Sequence, residues 1–171
     1  MRKQKGFSLI ELLIVVAIIL IIAAIAIPNL LRSRMAANEA SAVGSVRSIN
    51  TAEVTYATTY PDHGFADDLV SLGGTTAQCT AGTATTNAAA CIIDPVLAAG
   101  TKSGYTLAAL GTGYLVNVSP NTVYLVTAIP QTLGTTGMRS FCSDQSGVIF
   151  NDPTGVIAAD DAACTALKAL Q

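Results

Sequence analysis

The sequence predicts an α+β protein: one long N-terminal α-helix packed on a small antiparallel β-meander head. Three observations carry this. An aliphatic run of 25 residues, Phe7 to Leu31, follows a short cationic leader. A sparser apolar pattern then continues at three- and four-residue spacing to Tyr60-Pro61. Beyond residue 104 the pattern changes to short β-branched and aromatic runs separated by turn residues.

The chain has 171 residues, a formal charge of −2 and 51% hydrophobic residues, much of that in the aliphatic run. Removing residues 1–6 takes away three cations, leaving 6 Lys+Arg against 11 Asp+Glu. A mildly acidic chain of this kind lacks the clustered Lys and Arg that bind phosphate backbones, so no specific nucleic acid is expected. Four cysteines without metal-type Cys-x-x-Cys spacing point to disulfides in an oxidising compartment.

Segment 7–31 as a helix would be about 37 Å long, enough to cross a hydrocarbon core of about 30 Å. It is longer than a signal-peptide apolar region and lacks a small-x-small cleavage site after it. Cations dominate before it and Arg32 and Arg34 follow it, which narrowly favours a cytoplasmic N-terminus. A plain anchor leaves Glu11 unexplained. A lone carboxylate at this depth costs about 2.5–3.5 kcal/mol on insertion scales. It lies four residues from Phe7, one helical turn. Cleavage after Gly6 would give Phe7 a new cationic amine, and the two could pair within or between subunits.

The run Lys5-Gly6-Phe7-Ser8-Leu9-Ile10-Glu11-Leu12-Leu13 resembles the prepilin signature of type IV pilins and of the related pseudopilins of type II secretion. The resemblance covers roughly the first 30 residues. It implies cleavage after Gly6 by a prepilin peptidase, N-methylation of Phe7, and neutralisation of a neighbouring subunit's Phe7 amine by Glu11. It implies a homopolymer as the assembled form, storage in inner-membrane lipid, an inner-membrane assembly machinery, and delivery to an extracellular pilus. A pseudopilin would stay periplasmic. The fold it implies, a long N-terminal helix against an antiparallel sheet, matches the independent reading.

Pro28 matches the family's helix-interrupting proline. It removes one helix hydrogen bond and crowds the carbonyl four residues back. The pattern continues on both sides, so a kink is expected there rather than an end. Residues 32–60 are read as an amphipathic continuation with Val43, Val46, Asn50, Val54 and Ala57 as its stripe and Ile49 alongside. Arg32, Arg34, Glu39, Arg47 and Glu53 are placed on the surface. The helix is expected to stop at Tyr60, before Pro61.

The head, residues 61–171, begins with a Gly/Thr/Ala-rich stretch, 72–104, read as a long loop without period. Strands are expected at 105–110, 114–118 and 122–129, with a further hairpin at 139–142 and 148–150. Asp160 is expected to cap a last short helix, with Asp161 in its first turn and Lys168 in its last. Four cysteines allow three pairings. Cys79–Cys91 with Cys142–Cys164 is preferred because each closes a local loop. The second pair is similar to the disulfide-bounded loop of many pilins.

No enzyme is expected, and no cofactor. His63 is the only histidine and sits in a polar turn, with no serine or free thiol visibly coupled to it. Asp144, Asp152, Asp160 and Asp161 raise the idea of calcium, which major pseudopilins carry near the C-terminus. Turns and a helix cap account for all four, and no Asp-x-Asp-x-Asp-Gly loop is present, so no metal is expected. Aromatic residues are missing between Phe7 and Tyr56, which argues against a continuous aromatic conduction path.

The leading functional expectation is a major pilin serving adhesion, motility or surface contact. The alternatives are a major pseudopilin and a membrane-tethered periplasmic binding module.

Overall fold

The computed structural model describes residues 7–80, 85–111, 120–156 and 161–170. The elements run α1 (Leu9–Thr59), α2 (Leu69–Gly73), α3 (Pro95–Ala98), β1 (Thr101–Lys102), β2 (Tyr105–Gly111), β3 (Tyr124–Pro130), β4 (Ser140–Asp144), β5 (Ile149–Asp152), α4 (Asp161–Thr165) and β6 (Lys168–Ala169). The strands form one antiparallel six-stranded sheet in sequence order. A long N-terminal helix packed on an antiparallel sheet is the expected α+β arrangement. The chain divides into two compact units, one up to Arg34 and one from Met35 onward.

In the first unit, α1 is aliphatic on every side, and the side chains from Leu9 to Leu31 lie open. By length and composition this helix can cross a membrane. The helix runs on through Pro28 to Thr59.

In the second unit, α1 lays Ala42, Val46, Ile49, Ala52 and Tyr56 on the sheet. The sheet answers with alternate residues, as the two-residue period of a strand requires. They are Tyr105, Leu107 and Ala109 of β2, Tyr124, Val126 and Ala128 of β3, Phe141 of β4 and Ile149 of β5. The register places Leu107 opposite Ala128 and Phe141 next in the row, with Ala109, Val126 and Ser143 in the row beside it. Burial of each larger aliphatic side chain here stabilises the head by about 1.5–3 kcal/mol.

The other sheet face has its own small cluster, Leu125 with Cys142 and Cys164, joined by Phe150 and Leu167. β3 is therefore buried on both faces, which explains its unbroken Tyr-Leu-Val-Thr-Ala-Ile run.

The stripe on α1 differs from the expected one. Val54 is exposed, and Glu39 and Glu53 are buried rather than on the surface. The true stripe is 39, 42, 45, 46, 49, 52, 53 and 56, and its small residues Ala42, Ser45 and Ala52 let the helix approach the sheet closely. Both glutamates occupy stripe positions because backbone and side-chain donors wait beneath them.

Stretch 72–104 is not a structureless loop. It contains the end of α2, then α3 and β1, and it puts Ala89, Ala90, Ile93, Leu97 and Ala98 into buried positions. The overlooked signals were chemical rather than periodic. Asp68 accepts from the Ser71 amide to cap α2, and Asp94 accepts from the Leu97 amide to cap α3, whose first residue is Pro95. Ser103 and Gly104 both have positive φ and close a two-residue hairpin between β1 and β2. The Ser103 and Ser41 hydroxyls, 2.9 Å apart, tie that hairpin to α1.

At the C-terminus Lys168 lies in β6, not in a helix. The Asn151 side chain donates to its carbonyl at 3.0 Å, and the segment pairs with β5. The expected strand 114–118 and the capping role of Asp160 lie outside the described residues, as does the side chain of Asp161.

Candidate functional site: the helix N-terminus and the groups that anchor the head

Glu11 stands in the first turn of α1, where a negative charge faces the positive end of the helix dipole. The Ser8 amide donates to Glu11 Oε2 at 2.9 Å, and the Leu12 amide donates to the Ser8 carbonyl at 3.2 Å. Ser8-x-x-Glu11 thus has the spacing of a capping box, with the glutamate turned back toward the chain start. Phe7, just before it, is 79% exposed. Gly6 lies outside the described residues. This geometry presents a carboxylate beside residue 7, at the end of a helix that is otherwise apolar as far as Pro28.

The head contains two further carboxylates on the same helix face, and sequence reasoning missed both. Glu39 Oε2 accepts from Arg139 Nη2 at 2.7 Å and from Nε at 2.9 Å. Its Oε1 accepts from the amides of Met138 and Arg139. Burial pushes this carboxyl up, but the Met138 amide and the Arg139 guanidinium outweigh it and hold it below its usual value. Glu53 is the opposite case. Burial raises it to about 7; the Ala66 amide opposes this and the Asp67 charge adds to it. Re-centring the helical period on Ala42, Ile49 and Tyr56 would have put both glutamates on the buried face.

The disulfides are Cys79–Cys91 and Cys142–Cys164, the preferred pairing, and no cysteine is left free. The first fastens the α2–α3 connection to itself. The second joins β4 to α4 across the outer sheet face.

The acidic residues of the C-terminal region do turn work where they are described. Asp144 Oδ1 accepts from the Ser146 amide at 3.0 Å, and Asp152 Oδ1 accepts from the Thr154 amide at 2.7 Å. Hydrogen bonds from the Thr154 hydroxyl and amide hold Asp152 below its usual value. Among the described residues no three His, Cys, Asp or Glu side chains gather as a metal site would require. His63 lies exposed in a turn, and its carbonyl accepts from the Asn121 amide at 2.7 Å.

Residues 1–27 match the family model described as the prokaryotic N-terminal methylation motif. The chain is 67% identical over 39 residues to the type IV wide pilus major component PilA4 of Thermus thermophilus, covering 23% of this chain and 30% of that one. It is 43% identical over 54 residues to the type IV major pilin protein PilA of Myxococcus xanthus, covering 32% of this chain and 24% of that one. The matched region therefore spans less than a third of either relative. No solved structure matches. The motif, the apolar helix and the two relatives together support a type IV pilin. Both relatives are pilus subunits by name, not enzymes. A membrane-anchored form and an extracellular pilus fit the motif and the helix.

Proposed function

We propose that this chain is the major subunit of a type IV pilus. The observation that carries the proposal is a methylation motif over residues 1–27 joined to an open aliphatic helix whose one early charge is Glu11. The prepilin peptidase cleaves after Gly6 and methylates the new Phe7 amine. The processed subunit waits in inner-membrane lipid, held by residues 7–31. The assembly machinery then moves it into a fibre of identical subunits, whose core is built of these helices. Residues 32–60 carry the helix into the head, residues 61–171.

Glu11 gives the assembly its register. In the single chain its Oε2 accepts from the Ser8 amide. In the fibre it accepts from the methylated Phe7 amine of a neighbour, exchanging a neutral donor for a charged one. Charge-assisted hydrogen bonds are roughly twice as strong as neutral ones. A subunit out of register leaves an amine and a carboxylate unpaired among aliphatic helices, which is costly. Pro28 lacks the donor for its helix bond, so the turn before it is the weakest of the apolar segment and the place where the helix can bend or open during packing.

The test is Glu11→Ala beside the wild type in the native host, with imaging of sheared surface fibres and mass spectrometry of the N-terminus. The expected result is wild-type fibres of protein beginning at methylated Phe7, lost in the variant. Processed protein without surface fibres would place the chain with the secretion pseudopilins. Uncleaved protein with an indifferent variant would leave a tethered module.

A further inference from the structure

Two buried oxygens in the head have no hydrogen-bond partner among the described residues: Glu53 Oε1 and Asn50 Oδ1. Both are acceptors on α1, three residues apart, so their side chains are neighbours on one face of the helix. Each side chain is already fixed at its other end. Glu53 Oε2 accepts from the Ala66 amide at 2.9 Å, and Asn50 Nδ2 donates to Ser143 Oγ at 2.7 Å. Ser143 and Val126 form one sheet row, and Tyr124, two residues from Val126, lies on the same face. Asn50 is thus fixed to the sheet and Glu53 to the segment after α1. A buried acceptor left unpaired costs about 1–3 kcal/mol, and two neighbouring ones call for a shared donor.

The surroundings favour a proton as that donor. Glu53 is fully buried. The groups that face it are Asp67 from the segment after α1, Tyr124 from β3 and Tyr56 from its own helix. Among the described residues no Lys, Arg or His is among the groups acting on it. An ionised Glu53 would have one amide for support and the Asp67 charge against it.

We propose that Glu53 is a proton-operated clamp: in the folded head its carboxyl is protonated and the hydroxyl donates to Asn50 Oδ1, whereas ionisation breaks that bond and sets a buried negative charge against Asp67, which outweighs the stronger Ala66 bond and loosens the segment at Ala66–Asp67 from α1. The proton comes from and returns to solvent. The segment it governs is a strap. The Phe65 amide donates to the Asn121 carbonyl at 3.0 Å, and Asn121 Nδ2 donates to the Phe65 carbonyl at 2.9 Å and to Asp67 Oδ1 at 2.7 Å. The Gly111 amide donates to the Asp67 carbonyl at 3.2 Å, at the end of β2. Loosening Ala66 therefore reaches the end of β2 and the start of β3.

The sign follows from linkage. A carboxyl raised to about 7 in the folded chain binds more protons than in the unfolded chain between about pH 4.3 and 7. Stability is then fullest below that window and is lost as pH rises through it. Carboxylates held low, Glu39 and Asp152, act below the window and in the opposite direction.

The full chain in detergent micelles is unfolded in urea at pH 5.5 and pH 8.5, with amide exchange of Ala66 corrected for intrinsic rate. We expect the folded-to-unfolded ratio and the Ala66 protection to fall by tenfold or more toward pH 8.5. Glu53→Gln, whose amide keeps a donor in place, should be nearly pH-independent over this range. His63→Gln should retain the wild-type dependence. A flat wild-type profile, or an unchanged dependence in Glu53→Gln, overturns the proposal. If Glu53→Gln does not fold, the wild type decides by infrared spectroscopy. A protonated-carboxyl band at pH 6 that disappears by pH 8.5 upholds the clamp, and its absence at pH 6 overturns it.

Discussion

Arg139 meets Glu39 through two nitrogens on one oxygen, at 2.7 and 2.9 Å, across 100 residues of sequence. The other oxygen takes the backbone amides of Met138 and Arg139. One carboxylate thus fastens the start of β4 to the helix, and the guanidinium lies 5.6 Å from the Phe141 ring centre. Removing the carboxylate leaves a cation and two amides without their acceptor. Arg139 is half-exposed and water can replace its partner, so Glu39→Ala should lower head stability by about 2 kcal/mol, mainly through the two amides, in urea unfolding of the full chain at pH 7. In the wild type this contribution is present above about pH 4.3 and fades as pH falls through the lowered folded value.

Gly64 should not tolerate a side chain. Its φ is +74°, and an added Cβ would run into the Asn121 carbonyl oxygen. The left-handed backbone alone costs a non-glycine residue about 1–2 kcal/mol, and the clash is with backbone that cannot swing away. Gly64→Ala should cost more than about 2 kcal/mol in the same assay, whereas Gly134→Ala, with nothing near its Cβ, should cost only the backbone term.

The two disulfides should differ in what their loss exposes. Each closes a short loop, and chain entropy gives each about 3 kcal/mol. Cys142 and Cys164 are also buried against Leu125, so their joint replacement by serine adds the burial of two hydroxyls. The Cys142→Ser/Cys164→Ser pair should therefore lower the urea midpoint further than Cys79→Ser/Cys91→Ser. Equal losses would show that only loop closure matters.

Val46 and Val54 give a direct check on which face of α1 packs. Val46 is fully buried and Val54 is 57% exposed. Val46→Ala should cost about 2 kcal/mol and Val54→Ala close to nothing.

The legibility of the chain followed the kind of signal available. Phe7 to Leu31 could be read from composition alone, because a long aliphatic run has few folded uses. Tyr105 to Leu110 and Thr122 to Ile129 were readable because β-branched and aromatic residues alternate or run together there. Glu39 and Glu53 were placed wrongly because residue type argued for solvent, while position argued for the core. Position wins: Glu39 has amides and a guanidinium beneath it, and Glu53 has the Ala66 amide. The 72–104 stretch hid its order because alanines pack as well as leucines where backbones come close, yet they leave a weak periodic signal. Asp94-Pro95 was the mark that could have been used. In the candidate site, the motif named Glu11, while its bond to the Ser8 amide required coordinates.

Among the described residues the outermost strands of the sheet are each only two residues long. β1 at one side and β6, carrying Lys168, at the other offer an incoming strand almost no ladder to extend. Beyond β1 the outer side of β2 is partly taken, by the Leu107 amide donating to the Gly100 carbonyl and the Gly111 amide to the Asp67 carbonyl, so these edges give little purchase for sheet extension between heads. Copies of this chain that meet at high local density must recognise one another through side chains and helix faces, which can be specified and undone residue by residue.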